Sequence, residues 1–193
     1  MERYESYKPS GISWIGEIPT HWRELKAKYL FERHNRPVRD TDEVVTCFRD
    51  GQVTLRKNRR TTGFTESLQE SGYQGIRKGD LVIHQMDAFA GSTGISDSEG
   101  KSTPVYIVCT PAQNFIFNPF YGYVIRYMGL NGYIQSLYRG IRERSSNFNF
   151  DVFSQQYLPI PPIDEQRKIV EFLSTKTLQI DAQQRERERV TAA

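Results

Sequence analysis

The chain has 193 residues, of which 37% are hydrophobic and 12% aromatic, enough for one substantial core with an appendage but hardly for two full domains. A mean hydropathy of −0.62 and the lack of any apolar run near the roughly 20 residues of a spanning helix argue against a helical membrane protein. The polar start, Met1-Glu2-Arg3-Tyr4-Glu5, is no secretory signal. A net charge of +3 is mild, and total charge alone does not point to nucleic acid.

In chain order, residues 8–22 are rich in Pro and Gly with spaced aromatics, predicting an ordered, non-repetitive arm pinned by Trp14 and Trp22. Residues 22–26 predict a strand and residues 28–32 a short helix. The β-branched run 44–48, the turn pair Asp50-Gly51 and the run 52–55 predict a hairpin. Residues 72–76 lead through Lys78-Gly79-Asp80 into a strand at 81–84, and two more strands are expected at 92–96 and 104–109, with a turn at 98–101. Helical periodicity marks 123–128 and 133–137, interrupted by Gly129 and Asn131-Gly132. Cys47 and Cys109 lie in strand-like runs without metal-ligand spacing, so both are expected as reduced core residues of an intracellular protein. The mixture predicts an α+β fold: a β-rich body with short helices, followed by one long C-terminal helix.

That helix begins at a distinctive junction, Leu158-Pro159-Ile160-Pro161-Pro162-Ile163-Asp164-Glu165-Gln166. A short apolar strand meets a rigid double proline, and proline is tolerated in a first helical turn because its missing N–H would be unsatisfied there. Asp164 and Glu165 then favour the positive end of the helix dipole. Ile169, Leu173, Lys176, Ile180, Gln183, Arg187 and Val190 step by four and three, the seam of a coiled coil. A helix of this kind is marginal alone and needs a partner. Ile169, Phe172, Leu173, Lys176 and Ile180 are the candidate interface residues, and a homodimer through this helix is expected.

The positive surplus lies in the body. Residues 49–60 carry Arg49, Arg56, Lys57, Arg59 and Arg60 against Asp50 alone, and residues 139–147 carry Arg139, Arg142 and Arg144 against Glu143. Arg and Lys neutralise phosphates, and a planar Arg can also read guanine with two hydrogen bonds. The DNA-contact candidates are therefore Arg56, Lys57, Asn58, Arg59 and Arg60 in one loop, and Arg139, Arg142, Arg144, Ser145 and Asn147 in a second. Gln85, directly after a strand, is a third.

Catalytic signals are poor. Phe89-Ala90-Gly91-Ser92-Thr93-Gly94 and Asn118-Pro119-Phe120-Tyr121 faintly resemble the glycine loop and Asn-Pro-Pro-Tyr loop of adenine methyltransferases, but Phe120 replaces the second proline. A strand-turn glycine pair and a helix start are the plainer readings. His21, His34 and His84 are far apart with no catalytic or metal partner at suitable spacing, and no phosphate-binding P-loop is present. His84 reads as a structural histidine.

The junction Pro159-Ile160-Pro161-Pro162 with Glu165-Gln166, Ile169 and Phe172-Leu173 resembles the specificity subunits of type I restriction–modification systems. The stretch from Ser10 to Trp22 (SGISWIGEIPTHW) resembles the start of their first recognition domain, and Lys78-Gly79-Asp80-Leu81-Val82 a turn and strand they carry in mid-sequence. The resemblance implies a target-recognition domain over 1–160 that reads one half of a split double-stranded DNA target. It implies a truncated spacer helix over 161–193 that docks the modification (methyltransferase) and restriction (translocase/nuclease) subunits. It also implies a non-catalytic, cytoplasmic chain with no cofactor or metal of its own, S-adenosylmethionine, ATP and Mg²⁺ belonging to the partner subunits. The alternatives are a stand-alone DNA-modifying enzyme, methyltransferase or nuclease, and a protein-interaction adaptor with merely soluble basic loops.

Overall fold

The computed structural model describes residues 4–59, 70–138 and 147–191. The expected hairpin is present: β5 (Val45–Cys47) pairs antiparallel with β6 (Val53–Leu55), with Gly51 at φ 88° in the turn. Ahead of it come β1 (Tyr7–Pro9), β2 (Glu17–Pro19), β3 (Arg23–Lys26) and β4 (Phe31–His34). After it come β7 (Gln74–Ile76), β8 (Leu81–His84), β9 (Thr93–Ile95), β10 (Gly100–Ser102) and β11 (Tyr106–Pro111). Helices α1 (Asn118–Leu130), α2 (Tyr133–Ser136) and α3 (Phe150–Ser154) precede β12 (Tyr157–Ile160) and the long α4 (Ile163–Thr191).

A four-stranded antiparallel sheet of order β4-β11-β8-β9 forms the centre. Successive strand side chains point to opposite faces. On β8 and β11, Leu81, Ile83, Ile107 and Cys109 therefore face the helices, while Val82, Tyr106 and Val108 face the β5–β6 hairpin. Burial on both faces is why these strands read as near-continuous apolar runs. The larger cluster gathers Phe31, Tyr121, Phe148 and Phe153 between the sheet and α1–α3. β12 pairs with β3 (Leu158 opposite Leu25), so the last strand of the body closes against one of the first.

Three expectations change. Residues 28–32 are not a helix: a 3-10 turn at Ala27–Tyr29 leads straight into β4, because Phe31 to His34 pair with Pro111 to Val108 on β11. The expected turn at 98–101 overlaps β10, which pairs with β7. α1 starts earlier than its periodicity suggested, at Asn118 with Pro119 in the first turn, and runs through Gly129, where a Cβ would overlap the Ala88 carbonyl. The Asn-Pro and glycine pair of the methyltransferase decoy thus are a helix start and a packing device. Asn118 donates to the Gly79 carbonyl at 2.7 Å, and at Gly94 a Cβ would overlap the Gly51 carbonyl.

Cys47 and Cys109 are free and buried, and burial pushes the Cys109 thiol up to about 12. Among the described residues, no helix is long and apolar enough to cross a membrane.

Candidate nucleic-acid interface and helix root

The first basic loop leaves β6 as a 3-10 turn, Arg56–Asn58. Its cations are already engaged. Arg56 donates to Thr46 Oγ1 at 3.3 Å, Lys57 pairs with Glu43 at 2.5 Å, and Asn58 donates to Thr54 Oγ1 at 2.8 Å. Arg59 lies over the Phe48 ring, 4.4 Å to its centroid, and reaches Asp50 and Gln52 on the hairpin tip. Exposed ion pairs of this sort contribute little to stability. Arg60 lies outside the described residues, as do Arg139, Arg142, Arg144 and Ser145 of the second loop.

Contacts bring the first loop and Gln85 together with the exit of the second loop. Gln85 follows β8, where its side chain donates to the Pro104 carbonyl at 3.1 Å. Its own carbonyl accepts from Phe148 N–H at 3.0 Å, tying it to the exit of the second loop. Asn147, exposed at that exit, accepts through its carbonyl from the Tyr138 hydroxyl at 2.7 Å. Asp87, two residues after Gln85, pairs with Arg49 at 2.9 Å, and Arg49 adjoins the Asp50 that holds Arg59. The hairpin tip is therefore the bridge between the loops.

In the sequence Arg49 stands out only as charge, and Arg126 does not stand out at all. From α1, the Arg126 guanidinium donates to the carbonyls of Arg49 and Gly91, pinning the tip to the loop after β8. Nothing in the local pattern around Arg126 signals this, because its partners lie 77 and 35 residues away. His84 sits beneath the same loop as a structural residue. Its Nδ1 accepts from Asp87 N–H at 3.1 Å, its ring meets Tyr106 edge-on, and burial lowers its pKa.

The helix root is built from the Glu165-Gln166 pair. Gln166 is fully buried: its Oε1 accepts from Phe117 N–H at 2.8 Å, and its Nε2 donates to the carbonyls of Phe115 (2.9 Å) and Pro161 (2.8 Å). Glu165 accepts from Trp22 Nε1 (2.9 Å) and the Tyr4 hydroxyl (3.1 Å), and stands 2.7 Å from His21 Nε2. Partial burial raises its carboxyl, but the hydrogen bonds from Trp22, His21 and Tyr4 outweigh that and hold it below the usual carboxylate range. Burial and the same hydrogen bond push the Tyr4 hydroxyl up to about 12. Trp14 pins the arm further along, against Tyr127 and Tyr133.

Beyond this clamp α4 stays on the body for about two more turns. Ile169 packs against the core and Leu173 lines an apolar groove of about 550 Å³ with Trp14, Phe120 and Tyr127. Both seam residues thus serve the chain's own body. Lys176 lies 5.9 Å from the Phe172 ring centroid, and from Thr175 to Arg187 every residue is exposed. Phe172 is 42%, Leu178 66% and Ile180 53% exposed. At 29 residues the helix is about 44 Å long at roughly 1.5 Å per residue, and its stretch from Thr175 to Arg187 lies on the surface.

Three solved structures share this fold, each with 16% identity. The HsdS subunit from Thermoanaerobacter tengcongensis matches with a TM-score of 0.53 over 91% of this chain and 41% of its own. A chain from a structure described as the basis of complex assembly and conformational transition of the type I R-M system matches with a TM-score of 0.62 over 96% and 45%. The type I restriction–modification S subunit from M. genitalium matches at 0.52 over 85% and 42%. The chain thus spans less than half the length of these relatives. The sequence profile described as "Type I restriction modification DNA specificity domain" matches residues 57–192, from the basic loop to the end of α4. With well over half its length inside that match, the chain belongs to the type I restriction–modification DNA specificity domain family.

Proposed function

We propose that this chain recognises duplex DNA for a type I restriction–modification system and performs no covalent chemistry itself. Residues 1–160 act as the target-recognition domain, reading one half of a bipartite site through the loops around the β5–β6 tip. Residues 161–193 act as the spacer that docks modification and restriction subunits and pairs with a second copy, in the cytoplasm where the DNA is. The observation that carries this reading is the family match over 57–192, which takes in the first basic loop from Lys57 onward, Gln85, the second basic loop and the helix. The exposed Leu178 and Ile180 of α4 support the docking role, because an amphipathic helix gains most of its stability by packing its apolar side chains.

A salt titration of duplex binding by the purified chain tests it. With about four phosphate contacts, affinity falls by roughly a hundredfold between about 50 and 200 mM salt. An adaptor with merely soluble loops gives no binding at any salt. Turnover with S-adenosylmethionine, or DNA cleavage with Mg²⁺, by the chain alone is the outcome that contradicts a recognition-only role.

A further inference from the structure

We infer that the two ion pairs at the hairpin tip, Arg49–Asp87 and Arg59–Asp50, form a base-reading element for G·C pairs in the DNA major groove, with Arg126 as its positioning residue. The inference rests on the DNA-recognition reading above and deepens it by naming side chains and a base-pair class.

The geometry is that of exposed side chains on a braced backbone. The Arg49 side chain is 67% exposed and its guanidinium lies 2.9 Å from the Asp87 carboxylate. Behind the tip, one Arg126 nitrogen donates both to the Arg49 carbonyl and, at 2.6 Å, to the Gly91 carbonyl. Gly94 of β9 lies so close beneath that no Cβ fits against the Gly51 carbonyl. Arg59 is oriented by the Phe48 face and by Gln52, 3.1 Å away. Stability does not account for the pairs, since exposed ion pairs add little.

Their chemistry does discriminate. A phosphate presents acceptors only, so a carboxylate beside each guanidinium opposes phosphate binding. The major-groove edge of a G·C pair presents two guanine acceptors followed by the cytosine amino donor. A guanidinium with a carboxylate at its side presents the complement, two donors followed by an acceptor. An A·T edge places its donor between two acceptors and adds a methyl group, which this order does not match. Asp50 and Asp87 thus act as filters that make Arg59 and Arg49 readers rather than plain phosphate anchors.

The test uses the purified chain, a duplex pool with a randomised centre, and one mixed-sequence duplex. Asp87→Asn and Asp50→Asn preserve side-chain shape, and Asn at position 50 keeps an oxygen for the Gln52 N–H that Asp50 accepts at 3.0 Å. The parent enriches G·C at one or more positions. Each Asn variant loses roughly tenfold of that discrimination and binds the mixed-sequence duplex more tightly at about 50 mM salt, with a steeper salt dependence. Arg126→Met lowers discrimination while leaving the salt dependence as in the parent, and Arg126→Lys restores it. Melting curves matching the parent's show that each variant is folded. If folded Asn variants keep the parent's preference and affinity, the inference is overturned while DNA recognition stands. If the parent binds neither duplex, the recognition reading falls and this inference with it.

Discussion

Gln166 carries more structural consequence than any charged residue near it. Its side chain satisfies one N–H and two carbonyls in a site closed to water, and each buried group left unpaired costs about 1–3 kcal/mol. Gln166→Leu is expected to lower unfolding stability by about 3 kcal/mol or more, read as a shift of the urea midpoint. Glu165 makes a pH-dependent contribution. Its carboxyl is held below its ordinary value near 4.5, so its stabilisation is fully present above that pH and fades as pH falls through the folded value. Glu165→Gln removes it: the gap in melting temperature between parent and variant is expected to be largest near neutrality and to close as pH falls below 4.5 through the lower folded value. An unchanged gap across that range counts against the clamp. In the sequence, Glu165 was legible only as a dipole-favourable carboxylate at a helix start. Its partners Tyr4 and Trp22 lie 161 and 143 residues away, beyond any local pattern.

At the level of elements, the hairpin β5–β6, the strands β8 and β11 and the helix α4 were legible because alternation, turn residues and spacing encode them locally. β4 and β10 were not, since each becomes a strand only through a neighbour distant in sequence, β11 for one and β7 for the other. α3 was also missed, though a local signal existed: Asn149 caps it, accepting from Val152 N–H at 3.0 Å. The α4 seam divides where the body ends. Leu178→Asp with Ile180→Asp, both at exposed positions, is expected to abolish self-association in sedimentation at micromolar concentration. The body's melting should stay within about 0.5 kcal/mol of the parent, as for other surface changes. Ile169→Asp instead buries a charge against the core and is expected to lower the melting temperature of the body itself. Sedimentation showing the parent to be monomeric removes the homodimer from the proposed function.

For the molecule as a whole, the proposed recognition rests on segments around the hairpin tip that the fold brings to one place. Replacing Arg56, Lys57, Arg59 and Arg60 together with Ala is expected to weaken duplex binding and to reduce the slope of log affinity against log salt by roughly 0.9 for each lost phosphate contact. A quadruple variant that binds as well as its parent excludes that loop as a contact surface. Composition, periodicity and the proline junction were enough to predict an α+β body followed by a long helix, because those signals arise from neighbours along the chain. The union of the 48–59 hairpin, the 85–91 loop and the exit of the second basic loop follows instead from sheet order and from Arg126. So does the anchoring of the helix by Gln166 and Glu165. Those contacts link residues many tens of positions apart, and such pairings exist only once burial of the two faces of the central sheet has drawn the segments together.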